Sequence, residues 1–162
     1  MEIAIISDTH MPRGPRRLPP ACVARLRAAD LIVHAGDLNT LEVLDELRAL
    51  GEVVAVRGNV DDASVRAALP ASAQVTIGAL RLAVIHDAGT RQGRLERLRR
   101  RFPQADAVVF GHSHIPLLER AGDGFQIVNP GSPTERRRAA HHTMAVGRAH
   151  AGELSFELIE LD

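Results

Sequence analysis

The segment EIAIISDTH, residues 2–10, contains a short apolar and β-branched run that is typical of a buried strand and ends in Asp8-Thr9-His10. An apolar run followed by polar residues occurs four more times, and the polar groups lie 22 to 29 residues apart. The later polar groups are Gly36-Asp37, Gly58-Asn59, His86 and Gly111-His112-Ser113-His114. Each interval suits one strand, a connection and the next strand, which predicts an α/β architecture.

Helical patterns separate the strands in the first two thirds of the chain, and strands dominate the last third. Strands are predicted at residues 3–6, 31–35, 53–56, 73–77, 80–85, 107–110, 117–120, 125–128, 143–146 and 154–159. Helices are predicted at residues 21–28, 41–50, 63–68 and 92–101, with Thr40 as the N-cap of the second helix. The pattern predicts two packed sheets with helices outside them, formed by a single domain over residues 1–162.

Composition excludes several classes of protein. The 20 acidic and 20 basic residues give a formal net charge of zero, and only 2% of residues are aromatic, so we expect no non-specific nucleic-acid binding. No apolar run is long enough for a membrane span, and no targeting segment is recognisable. The single cysteine, Cys22, suits a reducing compartment, so we expect a cytoplasmic protein.

The polar groups after the strands predict one shared site. In an open α/β sheet, the loops at the carboxyl ends of the strands converge on one crevice. We therefore expect seven side chains to gather there: Asp8, His10, Asp37, Asn59, His86, His112 and His114. Oxygen and imidazole donors without a thiolate suit borderline or hard divalent ions.

Seven donors exceed the needs of one ion and suit two, if one carboxylate bridges them. Two ions about 3.5–4 Å apart are the arrangement of hydrolases that attack phosphorus with a bridging hydroxide.

The order D-x-H, GD, GN, H and GHSH resembles the calcineurin-like metallophosphoesterase superfamily, and Asn129-Pro130-Gly131-Ser132 resembles its small bacterial and archaeal phosphodiesterase branch. The resemblance implies a four-layer αββα sandwich of two mixed β-sheets. It also implies a dinuclear phosphodiesterase acting on a small phosphate ester. We expect two divalent ions, with manganese as the first choice and iron, nickel, cobalt or zinc as alternatives.

The resemblance also assigns roles to the residues of the motifs. One ion would be bound by Asp8, His10, Asp37 and His114, and the other by Asp37, Asn59, His86 and His112. Asp37, Asn59 and His86 would be the catalytic residues. Two further residues are candidates for substrate contact, namely Arg13 after the first loop and Ser132 in the NPGS loop.

The sequence departs from the family pattern at two positions. Many larger members have a histidine after GN that protonates the leaving group, but this chain has Val60 there. We therefore expect faster turnover of esters with good leaving groups. Asp87 stands where the family usually has glycine, and its carboxylate either changes phosphate affinity or faces solvent. His34, inside a predicted strand, is expected to be a hydrogen-bonded core histidine and not a ligand.

A second function competes with the enzyme. The same fold serves as a scaffold for protein partners in a eukaryotic retromer subunit that resembles this family. The presence of all seven candidate ligands favours the enzyme. The sequence does not identify the substrate or the preference for diester or monoester. It also leaves the oligomeric state open, and a homo-oligomer is one of the alternatives.

Overall fold

The computed structural model describes all 162 residues, which form ten strands and four helices. The strands are β1 (Glu2–Ile6), β2 (Leu31–His34), β3 (Val53–Ala55), β4 (Ser72–Ile77), β5 (Leu80–Ile85), β6 (Ala107–Val109), β7 (Leu117–Arg120), β8 (Gln126–Asn129), β9 (Thr143–His150) and β10 (Glu153–Glu160). The helices are α1 (Pro20–Ala28), α2 (Leu41–Arg48), α3 (Ala63–Ala68) and α4 (Arg94–Arg101).

The strands form two mixed sheets of five strands each. The first has the order β10-β9-β1-β2-β3, in which β1, β2 and β3 run parallel and β9 and β10 are antiparallel to their neighbours. The second has the order β4-β5-β6-β8-β7, with parallel β5, β6 and β8 and antiparallel edge strands. The parallel strands therefore occupy the middle or one side of each sheet, and their carboxyl ends carry the polar loops.

Three apolar clusters define the layers of the molecule. The central cluster joins the inner faces of both sheets, with residues such as Ile5 and Val33 facing Val84 and Val109. A second cluster packs α1, α2 and α3 on the outer face of the first sheet. A third packs α4 on the outer face of the second sheet, where Leu98 is buried. Alternating side chains of one strand thus serve two layers, as the period of a β-strand requires.

This arrangement confirms the predicted four-layer αββα sandwich. Each predicted strand and helix is present, and the largest differences at element ends are the longer β9 and the shorter α2 and α4. Thr40 occupies the N-cap position of α2, as predicted, although its side chain makes no capping hydrogen bond. None of the helices has the length and apolar character needed to cross a membrane.

Candidate metal centre

The carboxyl ends of β1, β2, β5 and β6 meet at one edge of the sandwich. Backbone hydrogen bonds hold the loops in register there, since His10 N–H donates to Asp37 O at 3.0 Å and Gly111 N–H donates to His86 O at 2.9 Å. The two sheets are joined directly at this edge, because His112 N–H donates to Asp8 Oδ2 at 2.9 Å. The seven predicted donors are therefore brought together by loops from both sheets.

Asp8, His10 and His114 form a buried group of donors. Nε2 of His10 lies 3.1 Å from Nε2 of His114, which in turn lies 3.4 Å from Asp8 Oδ1. All three side chains are almost completely buried. The donor atoms lie within 4.8 Å of one another, close enough for one ion to contact all of them.

Asp37, His86 and His112 form a second group that opens to solvent. Nε2 of His86 lies 3.2 Å from Asp37 Oδ2 and 3.1 Å from Asn59 Oδ1. Asn59 Oδ1 also lies 3.0 Å from Nδ1 of His112. His112 and Asn59 are exposed, whereas Asp37 and His86 are buried. A substrate therefore has access to the centre from the side of His112 and Asn59.

Asp37 stands between the two groups. Its Oδ2 is 3.2 Å from His86 Nε2 in the open group and 3.8 Å from His10 Nε2 in the buried group. This is the position that a bridging carboxylate requires.

Backbone carbonyls orient two of the imidazoles. Nδ1 of His86 donates to Ala35 O at 2.8 Å, and Nδ1 of His114 donates to Glu135 O at 2.5 Å. A carbonyl oxygen can only accept, so the proton of each neutral ring lies on Nδ1 and the lone pair of Nε2 is directed into the centre. Histidines that bind metals are oriented in this way.

Burial changes the protonation of the first group. Burial raises the pKa of Asp8 to about 7, and it lowers the pKa of His114 to about 4. Burial likewise lowers the pKa of His10. Both imidazoles are therefore neutral at pH 7 and carry free lone pairs. A divalent cation would stabilise the charged form of Asp8 that burial disfavours.

Asp37 and His86 each favour the charged form of the other, against the effect of burial. Burial alone would raise the pKa of Asp37, but its hydrogen bond with His86 holds the pKa below the usual value. Burial alone would lower the pKa of His86, yet Asp37 and Asp8 raise it. A positive charge is thus favoured between the two side chains, which is where a cation of the second group would lie.

The backbone of the centre is strained. Five of the seven donors have a positive φ although none is glycine, and these are Asp8, His10, Asp37, His112 and His114. Left-handed backbone in such residues costs roughly 1–2 kcal/mol each and is concentrated at functional sites. Gly58 and Gly111 allow the loops to approach closely, since a Cβ at Gly58 would overlap Asp37 Oδ1 and one at Gly111 would overlap Ser7 Oγ.

Several buried polar residues position the loops. Asp61 accepts from the N–H groups of Asn39 and Gly58, at 2.8 and 2.6 Å, and so supports the loop of Asn59. His34 is fully buried and lies between Thr9 Oγ1 and the N–H of Gly36, each 3.1 Å away. It is therefore a hydrogen-bonded core histidine, as predicted.

Ser132 holds the loop of Asp8. Its hydroxyl is buried, donates to Asp8 O at 2.8 Å and accepts from the N–H of Glu135 at 2.9 Å. The contact of Ser132 with substrate stays a prediction. Arg13 is exposed beside this loop, and its contact with substrate stays a prediction.

The two departures from the family pattern differ in their relation to the centre. Asp87 is exposed and accepts from the N–H of Gly89 at 2.7 Å, so it shapes a turn. Val60 is 43% exposed beside Asn59, and its N–H donates to Asp37 Oδ1 at 3.0 Å.

Sequence reasoning missed Glu135. Its Oε2 lies 3.7 Å from His10 Nε2, and its Oε1 pairs with Arg16 at 3.0 Å. No motif letter marks this residue, and only its place shortly after the NPGS loop could have pointed to it.

Comparison with known proteins agrees with this geometry. Residues 1–152 match the calcineurin-like phosphoesterase superfamily domain. A probable metallophosphoesterase of Methanothermobacter thermautotrophicus is 34% identical over 161 residues, which cover 98% of this chain and 92% of the relative. A probable metallophosphoesterase of Methanocaldococcus jannaschii is 37% identical over 140 residues, which cover 85% of this chain and 70% of the relative.

A solved structure shares the fold at lower identity. Wild-type Vps29 of Entamoeba histolytica, complexed with Zn²⁺, superposes with a TM-score of 0.78 at 20% identity over 100% of both chains. At this identity the likeness concerns the fold alone. The match of the domain across the chain, the two archaeal relatives and the two groups of donors at the strand ends lead to one conclusion: this protein belongs to the calcineurin-like phosphoesterase superfamily.

Proposed function

We propose that the protein is a metal-dependent phosphodiesterase that binds two divalent ions, with manganese as the expected metal. Asp8, His10, His114 and Asp37 would hold one ion, and Asp37, Asn59, His86 and His112 the other. Two such ions lower the pKa of a water molecule that they share and neutralise charge on phosphoryl oxygens. The expected substrate is a small phosphate ester, and the proposed location is the cytoplasm.

The observation that carries this proposal is the placement of Asp37 between two groups of neutral or hydrogen-bonded imidazoles. A purely structural cluster would pair each polar atom with a protein partner. Here the Nε2 atoms of His10 and His114 face each other at 3.1 Å, an arrangement that a shared cation satisfies better than a hydrogen bond between two rings whose pKa values are lowered.

The buried and the exposed residues of the centre would have different roles. The buried group would hold one ion away from solvent, whereas the exposed His112 and Asn59 would leave the second ion accessible to solvent and to the substrate. Val60 cannot donate a proton, so the position after Asn59 supplies no general acid, and solvent would protonate the leaving oxygen. This limits the enzyme to esters whose leaving group needs little protonation.

The test compares wild-type protein with Asp37→Asn on an aryl phosphodiester and the matching monoester, with manganese present. We expect faster hydrolysis of the diester and a loss of at least about 100-fold in kcat/KM for Asp37→Asn, because a bridging carboxylate is removed. Asp45→Asn, an exposed change on α2, is the control. Undiminished activity of Asp37→Asn would disprove the bridging role.

A scaffold that binds protein partners is the second candidate. It is favoured by the likeness to Vps29 and by two exposed apolar side chains beside the centre, Val60 and Ile115, which are 43% and 41% exposed. Protein that binds two ions yet hydrolyses neither ester with any of the five candidate metals would favour the scaffold.

A further inference from the structure

Glu135 places a further carboxylate beside His10 of the buried group of donors. It follows the NPGS loop, and about three quarters of its side chain is buried. Its Oε2 lies 3.7 Å from His10 Nε2. The corresponding distances from His10 Nε2 to Asp8 Oδ1 and Asp37 Oδ2 are 3.9 and 3.8 Å. Glu135 is therefore as close to this imidazole as the two expected carboxylate ligands are.

The separation between Glu135 Oε2 and His10 Nε2 suits two donors of one ion. Nitrogen and oxygen ligands lie about 2.1 Å from a borderline divalent ion, so two of them are roughly 3 Å apart when adjacent and about 4.2 Å apart when opposite. The distance from Glu135 Oε2 to His10 Nε2 falls inside this range.

The surroundings of Glu135 fix its carboxylate in this direction. Arg16 Nη2 binds Oε1 at 3.0 Å, and Arg137 Nε lies 4.0 Å from the same oxygen. The two guanidinium groups thus hold Oε1 on the outer side and leave Oε2 turned toward His10. The backbone carbonyl of Glu135 also accepts from His114 Nδ1, so one residue orients a ligand of this group and adds a carboxylate to it.

We propose that Glu135 is an additional protein ligand of the ion bound by Asp8, His10 and His114, with Arg16 holding its carboxylate in place. This inference rests on the proposed function, since it requires a metal at that position. The buried ion would then have the carboxylates of Asp8, Glu135 and the shared Asp37, whereas the open ion would have Asp37 and the neutral Asn59.

The difference in charge makes the two ions unequal. Each carboxylate adds attraction for a divalent cation in a site that excludes water. The buried ion would therefore bind more tightly than the exposed ion, and a phosphoryl oxygen would reach the exposed ion.

The alternative is that Glu135 serves only as the ion-pair partner of Arg16. Two variants separate these roles. Glu135→Gln removes the charge and keeps the size, whereas Glu135→Asp keeps the charge and withdraws the carboxylate by one methylene group. A carboxylate that acts only through its charge is replaced well by aspartate, but a ligand at a fixed distance is not.

The experiment is calorimetric titration of metal-free protein with Mn²⁺ at pH 7.5, fitted to two sites. We expect Glu135→Gln and Glu135→Asp to raise the Kd of the tighter site at least about 10-fold, with the weaker site changed less, since even residues that only orient a ligand are worth about 10–100-fold. Glu160→Gln, which removes an exposed carboxylate on β10, should bind like wild type. Thermal unfolding of the metal-free variants checks that each is folded.

Each result decides the inference. Titrations of both Glu135 variants that match wild type overturn it and leave the proposed function standing. A loss with Glu135→Gln and none with Glu135→Asp also overturns it, because the effect would then be one of charge alone. Wild-type protein that binds no Mn²⁺ overturns both this inference and the proposed function.

Discussion

The neutral form of His34 links the first two loops of the centre. The N–H of Gly36 donates to Nδ1, so the single proton of the neutral ring lies on Nε2 and donates to Thr9 Oγ1. A second proton would place two N–H groups against each other at Nδ1. Complete burial lowers the pKa of His34 to about 3.

The low pKa of His34 predicts that this one residue lowers the stability of the folded state in acid. The pKa of His34 in the unfolded chain is about 6.5. Above that value both states are neutral and His34 adds no pH dependence. Below it only the unfolded chain takes up the proton, so by pH 5 the folded state loses about 2 kcal/mol. In His34→Gln, the fall in the free energy of unfolding between pH 8 and pH 5 should be smaller by that amount.

The measurement is urea unfolding of metal-free protein at both pH values. Equal pH dependence in wild type and variant would contradict the assigned pKa. NMR titration of the wild-type His34 ring is an independent check, and a protonation step near pH 6 would contradict it as well.

At the level of single residues, the sequence predicted the donor residues better than the contacts that surround them. Aspartate, asparagine and histidine directly after apolar runs could be recognised because a strand end positions them without any knowledge of packing. Glu135 and Arg16 could not be recognised, since their meeting depends on how two loops more than a hundred residues apart fold against each other. The burial of the Ser132 hydroxyl against Asp8 O could not be predicted for the same reason.

At the scale of single elements, we expect substitutions to be tolerated least where two loops approach each other closely. A Cβ at Gly111, in the loop after β6, would overlap Ser7 Oγ and lie 2.7 Å from Asp8 Oδ2. We predict that Gly111→Ala lowers the free energy of unfolding by about 1–3 kcal/mol. It should also weaken Mn²⁺ binding at least about 10-fold, because Asp8 must move.

Gly122→Ala is the matched control, since its Cβ would meet no atom within 4 Å. It should leave metal binding unchanged and stability equal or slightly higher. Calorimetry and urea unfolding measure both effects, and equal behaviour of the two variants would contradict the close packing of these loops.

The loop before α3 offers a second matched pair in two adjacent residues. Asp61 binds the N–H groups of two metal-centre loops, whereas Asp62 caps α3 by accepting from Val65 N–H at 2.8 Å. Asp61→Ala should weaken Mn²⁺ binding at the exposed site, because the loop of Asn59 loses its support. Asp62→Ala should cost about 1 kcal/mol of stability and leave Mn²⁺ binding unchanged. Calorimetry distinguishes them, and equal losses of affinity would contradict the role of Asp61.

Elements were predictable where the apolar period was clear, as in β5, α3 and β7, whose bounds agree with the sequence-based prediction. The extension of β9 and β10 could not be predicted, because these strands end in exposed polar residues such as His150 and Glu160. Pairing with each other holds these ends in place. The missing hydroxyl cap at Thr40 shows that a favourable residue type does not ensure the hydrogen bond.

On the scale of the whole molecule, the metal centre joins the loops of two sheets whose facing inner surfaces are apolar. Bound metal should therefore stabilise the entire fold. At a free Mn²⁺ concentration 100 times the Kd, each site adds about 2.7 kcal/mol. For a chain of 162 residues this corresponds to a rise in Tm of roughly 5–11 °C per site. A chelator should reverse the rise, and Asp37→Asn should show less than half of it. A Tm that does not respond to Mn²⁺ would contradict a metal centre between the sheets.

In the proposed mechanism two ions act together on a phosphate ester, and a metal titration that follows activity tests this. Metal-free protein is titrated with Mn²⁺ while the initial rate of aryl phosphodiester hydrolysis is followed. We expect little activity up to one ion per chain and a rise that levels off at two ions per chain. No activity at any loading, or full activity at one ion per chain, would contradict it.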